Sequence, residues 1–292
     1  MKKILFISFV LFIVLSLQAQ QLPFRLEELT APDFVKAVEK SAKTCIIPIG
    51  VFEKHGPHLP LGTDLYTARE FAIRAAEKEY TVVFPWYYFS QINEAKHQPG
   101  TIAYSPELIW KALQETLDEL ARNGFEKIII VNGHGGNNAF LNFFGMAQLS
   151  EHRSYSLYVF QPKDDPEVAR KAEEMTQHDP YNAHAGNEES SVIKAIVPDL
   201  VHLERAGQQS GIDQNRLKNL PYVYTGIWWY ASYPNHYGGD GTKANAKAGE
   251  LLINSTVDQL VIMIQAVKKD EAVPALQKQF FDGSENPLKT KQ

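Results

Sequence analysis

Apolar residues in this chain fall into two patterns. Short unbroken runs at Thr44 to Ile49, Tyr80 to Phe84, Glu126 to Val131 and Tyr155 to Phe160 predict strands buried on both faces. Between them lie stretches in which apolar residues recur every three or four positions. Asp64 to Glu79 predicts a helix, with Asp64 as its N-cap candidate and Leu65, Ala68, Phe71, Ala72 and Ala75 on one face. Ser105-Pro106-Glu107 opens another, with serine as cap and proline at the first helical position, and Asn123-Gly124 closes it. Asn137 to Ser150, Asp165 to Gln177 and Glu188 to Ile196 predict further helices, and Thr242 to Lys268 a long amphipathic one.

Strands separated by helices of this length require right-handed crossovers and a mostly parallel sheet covered on both faces. The expected fold is therefore α/β, a three-layer α/β/α sandwich. In such sheets ligands sit beyond the carboxyl ends of the strands, so the chemistry belongs in the loops that follow each strand.

The start of the chain stands apart. Met1-Lys2-Lys3 is positive, Ile4 to Leu17 is apolar except for Ser8 and Ser16, and Leu17-Gln18-Ala19 offers a small residue before a cut. This layout reads as a signal peptide over residues 1–19; the run falls short of the ~20 residues that span a bilayer. Residues 20–292 then form one domain, periplasmic or extracellular, with no membrane contact once the leader is removed. One cysteine among 292 residues excludes a disulfide framework and a cysteine-rich metal site, and Cys45 sits in an apolar run as a core candidate. The net charge of −5, with scattered Lys and Arg, shows no nucleic-acid footprint. Nine histidines remain to be placed.

Three loops carry candidate chemistry. In Gly50 to Asp64, Glu53 and His55 share one face of an extended segment, and the following Gly- and Pro-rich stretch can return Asp64 to the same place. Two carboxylates and an imidazole suit a divalent metal, and a carboxylate can bridge two. In Ile128 to Asn138, an apolar strand runs into His134 among glycines, just before a helix start. No phosphate-loop or dinucleotide-binding glycine pattern is present there. In His184 to Ser191, His184 and Glu189 lie across an expected helix start.

Together these strings resemble the creatininase (creatinine amidohydrolase) family. The resemblance rests on Glu53-x-His55-Gly-Pro-His-Leu-Pro-Leu-Gly-Thr-Asp64, Asn132-Gly-His134-Gly-Gly-Asn137 and His184-Ala-Gly-x-x-Glu189-Ser-Ser191. Pro99-Gly100-Thr101-Ile102 followed by Ser105-Pro106-Glu107 resembles a further family segment. The resemblance implies two divalent metals per subunit (zinc, manganese or iron), hydrolysis of a non-peptide C–N bond in a small cyclic or linear amide, water activated by the metals as nucleophile, and a homo-oligomer, often a hexamer. Carried over, Glu53 and His134 hold one metal, His55 the other, and Asp64 bridges them. Creatininases proper have a glutamate two residues after the second-motif histidine; here that position is Gly136, so Glu189 is assigned as the remaining ligand. His184 is placed to protonate the departing nitrogen, with Glu189 beside it. The departure at Gly136 points to the broader family rather than to creatinine itself. Two other readings stay open: a binding protein that has lost turnover, and a formamide hydrolase or lactonase on the same metal site.

Other residues have weaker signals. His58 is expected to hold a ligand in place. His97 and Tyr87-Tyr88-Phe89 are candidates for the substrate entrance or for packing. Trp228-Trp229-Tyr230, Tyr233, His236 and Tyr237 are expected at a pocket wall or subunit contact, or in the core. His152, His178 and His202 read as ordinary surface or loop residues, and Gly238 to Gly241 as a turn.

Overall fold

The computed structural model describes residues 22–290. The segment read as a signal peptide lies outside them. Four strands, β1 (Thr44–Ile49), β2 (Val82–Val83), β3 (Lys127–Asn132) and β4 (Ser156–Val159), pair in parallel in the order β2-β1-β3-β4. The helices are α1 (Ala31–Lys40), α2 (Thr63–Lys78), α3 (Pro106–Arg122), α4 (Asn138–Ala147), α5 (Pro166–Thr176), α6 (Asn187–Ile196), α7 (Trp228–Ser232), α8 (Ala246–Lys269) and α9 (Ala272–Ser284).

Alternate strand residues feed two separate cores, as the period of two requires. Cys45, Ile47, Ile49, Ile128 and Ile130 pack with Leu113 and Leu117 of α3 and Leu141 and Phe144 of α4. Ile46, Val83, Ile129 and Val131 pack on the other face with Ala72 and Ala75 of α2, Val192 of α6, and Ile253, Val257, Leu260 and Ile264 of α8. Helices on both faces of a parallel sheet make the expected α/β/α layering. The length and apolarity of α8 would suit a membrane span, but its 3.6-period stripe is buried against the sheet. Ser105 caps α3 through its side chain, accepting from the Leu108 amide at 3.3 Å.

Several expectations need correction. Asp64 does not cap α2; Gly62 stands at that position and Asp64 lies in the first turn. The second strand is only two residues long, because Pro85 follows closely and the opposite edge is taken by Phe24, whose carbonyl accepts from Val83 at 2.8 Å. The long helix begins at Ala246, not Thr242, since Asn245 takes an extended conformation and caps Lys247. Three helices lie outside the expected set. Thr30, with Pro32 behind it, caps α1; α7 is only five residues long, and α9 buries no residue fully.

Candidate metal centre

The site forms at the carboxyl ends of β1 and β3, where three loops meet the N-terminal turns of α2 and α6. The loop after β1 carries Glu53 and His55 inward, both fully buried. It returns along Pro60 and Gly62 into α2, which places Asp64 beside them, 1% exposed. The loop after β3 brings His134. It can pass so close to α2 because Gly133 has no side chain: a Cβ there would lie 2.2 Å from the Asp64 carbonyl oxygen. Asn132 braces the turn, donating to the His134 carbonyl at 2.6 Å and accepting from Asn137 at 3.0 Å. Glu189 enters from the first turn of α6, anchored by the Ala185 amide at 2.5 Å.

The structure brings all five predicted ligand candidates together. His134 Nδ1 lies 2.7 Å from Glu53 Oε1 and 3.3 Å from Asp64 Oδ2. His55 Nε2 lies 3.0 Å from Asp64 Oδ1 and 3.5 Å from Glu189 Oε1. Donor atoms therefore gather as Glu53-Asp64-His134 and as His55-Asp64-Glu189, and Asp64 presents one oxygen to each group. Glu53, His55 and His184 form a third, overlapping group.

These close approaches are not hydrogen bonds. Glu53 Oε1, His55 Nε2 and Asp64 Oδ2 are buried without any hydrogen-bond partner, which is costly unless something else satisfies them. Lone pairs separated by about 3 Å around a common centre are what ligands at zinc–nitrogen and zinc–oxygen distances of about 2 Å produce. His55 also presents the correct nitrogen. Its Nδ1 faces the Glu53 carbonyl at 3.4 Å, and since a carbonyl only accepts, Nδ1 donates there, which leaves Nε2 as the nitrogen a cation would take in place of a proton. The donor set fits divalent cations.

Electrostatics agree. Burial pushes the His55 imidazole down, but Glu189, Asp64 and Glu53 outweigh it and hold it well above its ordinary value. Burial likewise opposes His134, and Glu53 and Asp64 raise it well above normal. Burial raises Glu53, helped by Asp64 and opposed by His134. Burial would raise Asp64 too, but His55 and His134 hold it well below the usual carboxylate range. Glu189, against its own burial, is brought to about 2 by His55. Buried carboxylates here demand positive charge between them.

His184 lies over His55, with ring centroids 4.2 Å apart. Its Nε2 faces the Lys54 carbonyl at 2.9 Å and must donate there, so Nδ1 holds the lone pair, 3.9 Å from Glu189 Oε2. Burial and His55 lower its pKa, so it enters as a neutral imidazole.

Two further residues stand at the site without a predicted role there. Glu94, in a short turn at Asn93–Ala95, lies 3.5 Å from His134 Nε2 and is held by Gln91. It fills the space beside Gly136, where a Cβ would sit 2.3 Å from its Oε1. His236, expected in an aromatic wall or contact, bonds Glu53 directly through Nε2 and is 1% exposed. Neither carries a motif; the one signal is a histidine close to Gly238-Gly239. His58 does not touch a ligand candidate in its polar contacts. Its Nε2 donates to Ser190 Oγ at 2.8 Å, a hydroxyl that itself donates to the Ala185 carbonyl at 3.0 Å. Tyr87 is buried in the core with Phe89 packed against it, so this part of the proposed entrance is packing. Gly238 is more than a turn, exchanging backbone hydrogen bonds with His184 at 2.9 Å. His152, His178 and His202 are exposed or half-buried, away from the site.

A cavity of about 970 Å³ opens onto Glu53, Asp64, His134, His184 and Glu189. Its lining includes the apolar Phe140, Ile227, Trp228, Trp229 and Tyr230 and the polar Gln91, Asn93, Lys96 and His97.

Comparison with known proteins gives a consistent picture. The family model Creatininase, described as creatinine amidohydrolase, matches residues 27–264. The chain is similar to the creatinine amidohydrolase of Pseudomonas putida, 26% identical over 191 residues, covering 61% of this chain and 74% of that one. It is also similar to the 3-dehydro-scyllo-inosose hydrolase of Thermotoga maritima, 24% identical over 260 residues, covering 80% and 81%. A mycofactocin precursor peptide peptidase of Mycobacterium tuberculosis is 28% identical over 238 residues, covering 76% and 84%. Among solved structures, a mutant creatininase of Zn-Zn type superposes with TM-score 0.71 at 22% identity, covering 85% of this chain and 99% of that one. A manganese creatininase gives 0.69 at 22% identity, with the same coverage.

Proposed function

Since the chain belongs to the creatininase family of metal-dependent hydrolases, we propose that it hydrolyses a C–N bond of a small cyclic or linear amide. The observation that carries this reading is the pair of donor groups sharing Asp64. Glu53 and His134 would hold one divalent cation, His55 and Glu189 the other, with Asp64 between them. Such cations supply Lewis acidity toward a carbonyl and a nucleophile at neutral pH.

The chain's own residues handle the proton. An amide nitrogen is a poor leaving group until protonated. His184 has its Nε2–H committed to the Lys54 carbonyl, so Nδ1, 3.9 Å from Glu189 Oε2, is the nitrogen left to act as an acceptor. In this reading Nδ1 takes the proton that the attacking water gives up as its oxygen bonds to the carbonyl carbon, and passes it to the nitrogen as the C–N bond breaks, which makes His184 base before acid. Glu189, pinned by the Ala185 amide, steadies the imidazolium that forms. The apolar wall of Trp228, Trp229 and Ile227 excludes water from one side and receives the non-reacting part of the substrate.

A cavity near 970 Å³ is at the upper end of small-molecule clefts. It has room for linear amides with an aromatic or apolar tail, in keeping with a relative named for a peptide. The apolar segment at the start of the chain supports an exported enzyme. The test is a panel of cyclic amides, linear amides, formamides and lactones of matched size, assayed with added zinc or manganese and again with chelator. Metal-dependent turnover of amides is expected. Turnover of lactones alone would replace the reading with an esterase, and no turnover of any member with metal bound would favour a binding protein.

A further inference from the structure

His236 is linked on both sides of its ring. The Trp229 indole Nε1–H donates to His236 Nδ1 at 2.8 Å. An indole nitrogen has no lone pair to offer, so Nδ1 must be the acceptor and the ring proton of the neutral imidazole must sit on Nε2. Nε2 is the atom that meets Glu53 Oε2, and there it donates. One oxygen of Glu53 is thereby occupied. The other, Oε1, is buried without a hydrogen-bond partner and faces His134 Nδ1 at 2.7 Å.

The backbone is shaped to permit this. His236 has φ +52°, in the left-handed region that non-glycine residues seldom adopt. Its carbonyl accepts from Gly56 at 3.3 Å and its amide donates to the Tyr233 carbonyl at 2.9 Å, which hold the turn in place. A conformation costing of order 1 kcal/mol at a site is a pointer to function. Trp229 also lines the cavity and meets His184 edge-on at 5.7 Å. Its indole thus joins the substrate wall to a ligand candidate.

We infer that Trp229 and His236 form a positioning relay: the indole fixes the histidine tautomer, and the histidine turns Glu53 so that only Oε1 is offered to a divalent cation. The inference rests on the reading of Glu53 as a ligand. It is tested on the full chain by zinc affinity in competition with a chelator, for the unaltered protein and for Trp229→Phe, His236→Phe and His236→Gln. Ring-nitrogen NMR of the histidines is run on the same samples, with the His236 signals assigned by their loss in His236→Gln. Partners that orient a metal ligand are typically worth 10–100-fold in affinity, so His236→Phe should weaken zinc binding by about that factor. Trp229→Phe should weaken it in the same direction, and His236→Gln, whose amide can still donate to the carboxylate, should restore most of it. The NMR should show His236 protonated on Nε2, with mixed tautomers in Trp229→Phe. Unchanged zinc affinity in both phenylalanine variants, or a proton on Nδ1, overturns the relay while leaving the metal site intact. Absence of zinc binding in the unaltered protein would instead overturn the metal reading itself. Should His236→Phe fail to fold, Trp229→Phe and the NMR decide alone.

Discussion

Asp64 is the residue on which the two halves of the site meet, with Oδ1 toward His55 and Oδ2 toward His134. Its neighbours should separate by role when altered. His134→Ala is expected to lose metal content and activity together, as measured by metal analysis and turnover on one preparation. His184→Ala should keep its metal and lose about 10²–10⁴ in rate, the usual worth of a positioned acid–base group; an emptied site would make His184 a ligand. Gly136→Ala should also be severe, because its methyl would stand 2.3 Å from Glu94 and 2.4 Å from His134 Nε2. Removing the carboxylate with Glu94→Ala in the same chain should recover part of the metal binding, which titration with manganese would show. Glu53, His55, Asp64, His134, His184 and Glu189 were legible because each lies in a loop directly after a strand or at a helix start, in a recognisable string. Glu94 and His236 were not, because they come from irregular segments where no spacing rule fixes direction. Only the folded chain shows that Gly136 leaves room for one and Trp229 orients the other.

At the scale of elements, the site depends on how firmly the first loop is tied to α6. His58 makes that tie by donating to Ser190. Burial, and then His55, lower its pKa to about 4. An unfolded histidine near 6.5 takes up a proton that the folded one refuses, so between 6.5 and 4 the unfolded state binds more protons. Stability from this residue is therefore full above pH 6.5 and is lost progressively as pH falls toward 4, by roughly 3 kcal/mol at most. His58→Gln should flatten that part of the stability–pH curve in denaturant melts. In the layers, Leu117 of α3 is fully buried in the first core, so Leu117→Ala should cost about 2–5 kcal/mol, read from the same melts. Most elements could be read from apolar period and caps. The second strand is shorter than its apolar run because that run pairs at only two positions before Pro85. The start of α8 is displaced from the expected one because Asn245, not the glycine cluster before it, supplies the cap.

For the whole molecule, strand-helix alternation in the sequence implied the parallel sheet, and the sheet implied where ligands collect. The cavity above the strand ends was legible only in part: the aromatic run at Trp228 to Tyr230 was expected at a pocket wall, a subunit contact or in the core, and only tertiary folding brings it to this site. The donor residues come from the loops after β1 and β3 and from the start of α6, while the aromatic segment lines the cavity they face. The paired donor groups are the centre of this site. The most direct measurement is an anomalous-difference map of crystals grown with zinc, recorded on both sides of the zinc absorption edge. Two peaks are predicted per chain, one among Glu53, Asp64 and His134 and one among His55, Asp64 and Glu189. A map with no peak between these residues, in protein shown to bind zinc, would contradict it.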